Sequence, residues 1–135
     1  MHEHALQHRR ILVVEDEYIL AYELELELED MDATVVGPVG NLQEAIALLE
    51  SGEPIDGAIL DVNLAGQMTF PVADMLAERG VPFVLTTGYD ASVIPGRFQG
   101  VVRCQKPMDG KQVARAMEHL LNSGGVDSRI LRRQA

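Results

Sequence analysis

Five short aliphatic runs recur along this chain: ILVV at 11–14, TVVG at 34–37, GAIL at 57–60, VPFVLT at 81–86 and GVVRC at 100–104. Each has the length of a strand, is rich in Val, Ile or Leu, and lacks in–out alternation, the pattern of strands covered on both faces. Segments of helical spacing lie between them. In NLQEAIALLE, Asn41 is placed to cap a helix with Glu44 three residues on, and Ala45, Ile46 and Leu49 can share a face. In DGKQVARAMEHLLNSGG, Asp109 opens a helix of about three turns. Val113, Ala116, Met117, Leu120 and Leu121 form its apolar stripe, and Gly124 ends it. Strands alternating with helices imply right-handed βαβ units and a parallel sheet.

The stretch ELELELED at 23–30 alternates as a half-buried strand would. A strand over 17–31, however, would make the first three aliphatic runs consecutive strands, with no crossover to return the chain in parallel. As a helix, Leu20, Leu24, Leu28 and Met31 align on one face, and Glu23, Glu25, Glu27 and Glu29 spread over the remainder. The stretch therefore reads as helix. It leaves Ile19, Tyr22 and Leu26 on another side, either packed under a neighbouring loop or exposed as an apolar seam for a partner helix.

At 135 residues the chain is one domain's worth. Its 21 acidic against 11 basic residues give a net charge of −10, which opposes sequence-independent attraction to nucleic acid or anionic membranes. No apolar run approaches the roughly 20 residues that span a bilayer, and MHEHALQHRR lacks the apolar centre of a secretion signal. A cytoplasmic location is expected. The single cysteine, Cys104, lies in the apolar VVRC and reads as a buried structural thiol.

Acidic residues follow two of the runs directly. Glu15 and Asp16 come after ILVV and Asp61 after GAIL, so in a parallel sheet they meet at the carboxyl ends of strands, where open α/β folds bind ligands. Two unit charges 4 Å apart repel by about 4 kcal/mol at an effective dielectric near 20. Protonation, hydration or a bound cation must offset that, and an all-oxygen set with few protein ligands suits Mg²⁺. Thr86 and Thr87 end the fourth run and Lys106 follows the fifth, adding hydroxyls and an ammonium. Together these are the parts for phosphoryl chemistry: a carboxylate nucleophile, a divalent cation, a hydroxyl and a fixed positive charge. Singly, each has a duller account: Asp61 as a turn cap, Lys106 as a solvated lysine, the threonines as β formers. Their joint placement outweighs those accounts.

VVEDE at 13–17, LDVNLAG at 60–66, TTG at 86–88 and KP at 106–107 resemble, in order and spacing, the receiver domains of two-component response regulators. The resemblance runs from about residue 11 to 122. It implies a flavodoxin-like (βα)5 receiver fold with a parallel five-stranded sheet, and a phosphoryl group accepted on Asp61 from a sensor histidine kinase or histidine phosphotransferase. It further implies Glu15 and Asp16 as the acidic pair for Mg²⁺, with Asp16 and Asp61 as direct ligands, Glu15 acting through water and the Asn63 backbone carbonyl completing the set. Thr87 matches the switch hydroxyl better than Thr86, and Lys106 matches the phosphate-binding lysine, often followed by a cis proline bond.

Several positions depart from that pattern. Arg103 stands where an aromatic switch residue is usual, and Met108 follows the proline. GYDASVIPGRFQG, with Pro95, Gly96 and Gly100, supports no more than about two turns, so a reduced or irregular fourth helix is expected. TTGYD followed by a prolyl loop resembles the alphaproteobacterial "FAT GUY" subgroup, with Leu85 and Thr86 in place of its first two letters. This loop is expected to order on phosphorylation.

Residues 1–10, with His2, His4 and His8, and 123–135, with Arg129, Arg132 and Arg133, read as tails, with no output domain. Phosphorylation is then read by an unknown downstream protein, or drains phosphate from a kinase. Receivers dock on kinase helices beside their first helix, so Tyr18, Ile19, Tyr22 and Leu26 form the expected docking surface. Two further classes compete. An aspartyl-nucleophile hydrolase would carry a second aspartate where Asn63 stands, and a vestigial binding module would not need every acidic position filled. A Rossmann dinucleotide site is weakest, because VVEDE occupies the turn that requires glycines.

Overall fold

In the computed structural model, residues 5–88 and 91–122 are described. The elements are β1 (Arg10–Val14), α1 (Tyr18–Asp30), β2 (Thr34–Val39), α2 (Leu42–Glu50), β3 (Gly57–Asp61), a minimal hairpin of β4 (Asn63–Leu64) and β5 (Gln67–Met68), α3 (Phe70–Glu78), β6 (Phe83–Thr87), β7 (Arg103–Gln105) and α4 (Gly110–Asn122). The main sheet is parallel with order β2-β1-β3-β6-β7. Leaving out the β4–β5 hairpin, this is the 2-1-3-4-5 order of flavodoxin-like sheets.

Two apolar layers sandwich the sheet. Leu12, Val14, Leu60 and Leu85 face α2 and α3. Ile11, Val13, Ile59 and Val84 face α1 and α4. Strand residues of one parity therefore serve each layer, as period-two geometry requires. Leu20, Leu24 and Leu28 of α1 are buried in the second layer, which settles ELELELED as helix. The helix ends where Asp32 turns to φ 68°: its N–H donates to Glu29 and that of Ala33 to Leu28, a Schellman closure with aspartate at the left-handed position. Asn41 Oδ1 accepts the Glu44 N–H at 2.8 Å, as its sequence position predicts. Asp109 and Gln112 cap α4 reciprocally, each side chain accepting the other's backbone N–H.

Four expectations need correction. The N-terminal segment is packed from Ala5, since Leu6 is fully buried and its N–H donates to Met31 at 3.0 Å. An isolated leucine after MHEHA gives no periodic signal of that burial. GVVRC does not form a strand covered on both faces; β7 has only three residues at the sheet edge, with Arg103 and Gln105 exposed. Cys104 is accordingly half-buried, and burial pushes its thiol pKa up, as for an unreactive group. On α4 it is Ala114, not Ala116, that joins the buried stripe. The expectation of a reduced fourth helix between β6 and β7 is met: the described residues there form two 3-10 turns, Ala91–Val93 and Gly96–Phe98. Phe98 anchors this connection, stacking on Phe70 and meeting Phe83 edge-on. Tyr89, Asp90, the two initial histidines, Gly124 and the terminal arginines lie outside the described residues.

Candidate functional site

The carboxyl ends of β1, β3, β6 and β7 converge on one acidic cleft. Parallel pairing places Val14 beside Leu60 and Asp61 beside Thr86, so the residues leaving β1 and β3 emerge together. Glu15 and Asp61 are buried while Asp16 is exposed, and one carboxylate oxygen from each lies within 4.8 Å of the others. Asp16, Asp61, Asn63, Gly66, Gly88 and Lys106 are among the residues lining a cleft of about 320 Å³.

Lys106 reaches in from beyond β7. Its backbone N–H donates to the Thr87 carbonyl at 2.7 Å, and the following bond to Pro107 is cis. Its Nζ lies 3.0 Å from Asp61 Oδ2, 3.2 Å from Glu17 Oε1 and 3.5 Å from Glu15 Oε2. Partial burial works to lower the ammonium pKa, but the hydrogen bond and charge of Asp61, with Glu15 and Glu17, outweigh it and hold the group above the ordinary lysine value. Burial instead pushes Glu15 up, from 4.5 to about 8. The Glu17 N–H opposes that shift at 2.9 Å and Asp61 adds to it.

The Asp61 carboxylate is braced from behind. Its Oδ1 accepts the Asn63 N–H at 3.1 Å, and Thr69 Oγ1 donates to the Asp61 carbonyl at 2.6 Å. The turn beyond is closed by Asn63 Oδ1, which accepts the Gly66 N–H at 2.7 Å, with Gly66 at φ 94°. Thr87 ends β6 as a buried residue one position before Gly88 on the cleft wall. Thr86, on the opposite face of the strand, buries a hydroxyl with no hydrogen-bond partner. Arg103, exposed at the position where an aromatic switch residue is usual, donates to the Gln99 carbonyl at 2.9 Å.

The donor set fits a hard divalent cation. Asp16 and Asp61 outweigh the one ammonium even while Glu15 holds a proton, and Glu15 Oε1 is buried with no hydrogen-bond partner. With Asp16 open to solvent, an ion that takes a few carboxylate oxygens and keeps its remaining waters is accommodated.

The exposed side of α1 adjoins this cleft. Tyr18, Ile19, Tyr22 and Leu26 are 85, 73, 56 and 48% exposed, so the bland alternative of packing under a loop is excluded. Tyr18 and Ile19 line a groove shared with Lys106, Pro107 and Met108. Glu17 and Thr69 were not singled out by sequence. The third acidic residue of VVEDE was a readable signal for Glu17, whereas nothing local marks Thr69.

No family model matches the chain. A curated relative, the transcriptional regulatory protein PdtaR of Mycobacterium tuberculosis, is 32% identical over 82 residues, 60% of this chain; the chain spans 40% of that relative's length. The solution structure of SdrG from Sphingomonas melonis Fr1 is 45% identical with a TM-score of 0.72, covering 87% of this chain and 98% of that one. A response regulator receiver protein from Sinorhizobium medicae WSM419 is 28% identical with the same TM-score of 0.72, over 85% of this chain and 95% of that one. Fold, site and relatives agree, and the chain belongs to the response regulator receiver domains of two-component signalling.

Proposed function

We propose that this chain accepts a phosphoryl group on Asp61 from a histidine kinase or histidine phosphotransferase, in a reaction that requires Mg²⁺. The observation that carries the reading is the Asp61 carboxylate, buried at a strand end between Lys106 Nζ at 3.0 Å and the Asn63 N–H at 3.1 Å, inside the acidic cluster. An Asp61 oxygen attacks phosphorus as the donor's P–N bond breaks, and the histidine nitrogen leaves with the electron pair and takes up a proton. Lys106 supplies positive charge to the phosphoryl oxygens, and Asn63 and Thr69 fix the nucleophile's orientation. Asp16 and Asp61, with the Asn63 carbonyl and Glu15 through water, would hold Mg²⁺, which when bound neutralises phosphoryl charge. Thr87 is assigned the hydroxyl that engages the modified aspartate. Asn63, where a hydrolase would place a general acid, accords with a lasting modification rather than turnover.

Tyr18, Ile19, Tyr22 and Leu26 form the surface for the phosphodonor in this proposal, since all four are exposed on α1 and Tyr18 and Ile19 border the groove that reaches Lys106. Output goes through protein contacts or ends as a phosphate sink in the cytoplasm. No helix among the described residues is long and apolar enough to cross a membrane. TTGYD followed by a prolyl loop supports the "FAT GUY" subgroup, and in this reading the β6–β7 loop orders on phosphorylation.

The test is intact mass after incubation with acetyl phosphate, with and without Mg²⁺. A Mg²⁺-dependent gain of one phosphoryl group, absent in Asp61→Asn, is expected. No gain in folded protein that binds Mg²⁺ favours the vestigial module, and donor consumption without adduct favours the hydrolase.

A further inference from the structure

We propose that Glu17 is the displaceable counter-ion of Lys106: it holds the ammonium across the cleft before phosphorylation and yields it to the phosphoryl oxygens afterwards. The inference rests on the reading of Asp61 as phosphoacceptor.

Three carboxylates share Lys106 Nζ, and they are not equivalent. Asp61 and Glu15 are buried, with side chains 5 and 1% exposed, and both belong to the three-carboxylate cluster. Glu17 stands outside that cluster, its side chain is 60% exposed, and its only charge partner among the described contacts is Lys106. A buried carboxylate released from its cation would be stranded in a poorly solvated site, whereas an exposed one is taken up by water. Glu17 is therefore the carboxylate that yields.

Its position gives it somewhere to go. Glu17 is the N-cap residue of α1, yet its side chain makes no capping hydrogen bond. The carboxylate forgoes the helix N-terminus, which favours an anion, for Lys106. It also lies on the wall shared by the acidic cleft and the groove beside Tyr18 and Ile19. In the unmodified protein a negative group thus stands at the entrance an anionic phosphodonor must use. After transfer, the same group is freed at the first turn of the helix carrying the exposed apolar side chains.

The experiment compares phosphorylation rates of the full chain with acetyl phosphate at saturating Mg²⁺, for the unmodified protein, Glu17→Gln and Glu17→Asp. Glu17→Gln is expected to raise the second-order rate by roughly two- to fivefold at low ionic strength, the range an exposed charge pair supports. The gain should shrink in 1 M salt, where the Debye length is about 3 Å. Glu17→Asp keeps the charge and should stay within about twofold of the parent. A merely structural role would not produce that salt dependence. Equal or lower rates for Glu17→Gln at both salt concentrations overturn the proposal, as does an equal gain for Glu17→Asp. If the unmodified protein itself takes no phosphoryl group on Asp61, the functional reading has failed rather than this one.

Discussion

The two strand–helix units that meet at the site, β1–α1 and β7–α4, are built alike and finished differently. Each ends in a 13-residue helix, and the two helices pack against each other on the same face of the sheet. β1 is paired on both sides and buried from Ile11 to Val14, whereas β7 is a three-residue edge. The β1–α1 junction is acidic, with Glu15, Asp16 and Glu17; the β7–α4 junction supplies Lys106. α4 carries its side-chain cap at Asp109, while α1 has none. The exposed face of α4 is polar, with Lys111, Gln112, Arg115 and His119, while that of α1 carries Tyr18, Ile19, Tyr22 and Leu26. The two helices bury the same kind of stripe, so the core does not explain the difference. What α1 gives up, a cap and polar side chains at Tyr18 and Ile19, lies beside the acidic cleft, and function accounts for it better than folding does.

The largest expected effect separates the two faces of α1. Leu24 is fully buried, and Leu24→Ala should cost about 2–5 kcal/mol in urea unfolding. The same truncation at Tyr22 or Leu26 should stay within about 0.5 kcal/mol. Equal losses on both faces would remove the distinction.

The acidic junction should also show itself in pH dependence. Because the folded Glu15 pKa is raised from 4.5 to about 8, folded protein without divalent cation binds a proton there that unfolded chain releases. The associated stability is fully present below about pH 4.5 and is lost as pH rises through about 8, an effect on the order of 3 kcal/mol. Thermal unfolding at pH 6 and 8.5 should show this loss, with added Mg²⁺ restoring more at the higher pH. Glu15→Gln should flatten the profile.

The contact between the two units is narrower than their apolar stripes suggest. A Cβ on Gly110 would lie 3.0–3.1 Å from backbone atoms of Glu23, which cannot swing aside as a side chain would. Gly110→Ala should therefore cost about 1–2 kcal/mol by separating α4 from α1, despite alanine's better helix propensity. A stabilised variant would show that the α1 backbone gives way.

The smallest effect on stability should be the most specific for function. Tyr22→Ala and Leu26→Ala should slow phosphoryl transfer from the cognate kinase several-fold while leaving acetyl phosphate reactivity unchanged. Unaltered transfer from the kinase would return these side chains to ordinary surface.

Much of this was legible from local pattern. Aliphatic runs located the central strands because a strand covered on both faces needs an unbroken apolar run, and the Leu20–Leu24–Leu28 spacing identified α1 against its own alternation. Asp61, Asp16 and Lys106 were legible because they follow strand runs within two residues. β7 was less so, since an edge strand does not need the apolar run that marks a central one. Leu6 and Thr69 were not, because a single residue meeting partners far along the chain has no period.

The sequence by itself determined which faces are buried and which residues emerge at strand ends, since both follow from periods of 2 and 3.6 residues. Only the tertiary structure decided that Lys106 meets carboxylates 45 and 91 residues earlier in the chain, and that Glu17 turns to it instead of capping its own helix. Those contacts depend on strand order and register, which bring the ends of β1, β3 and β7 together in space and leave no trace in any local stretch of chain.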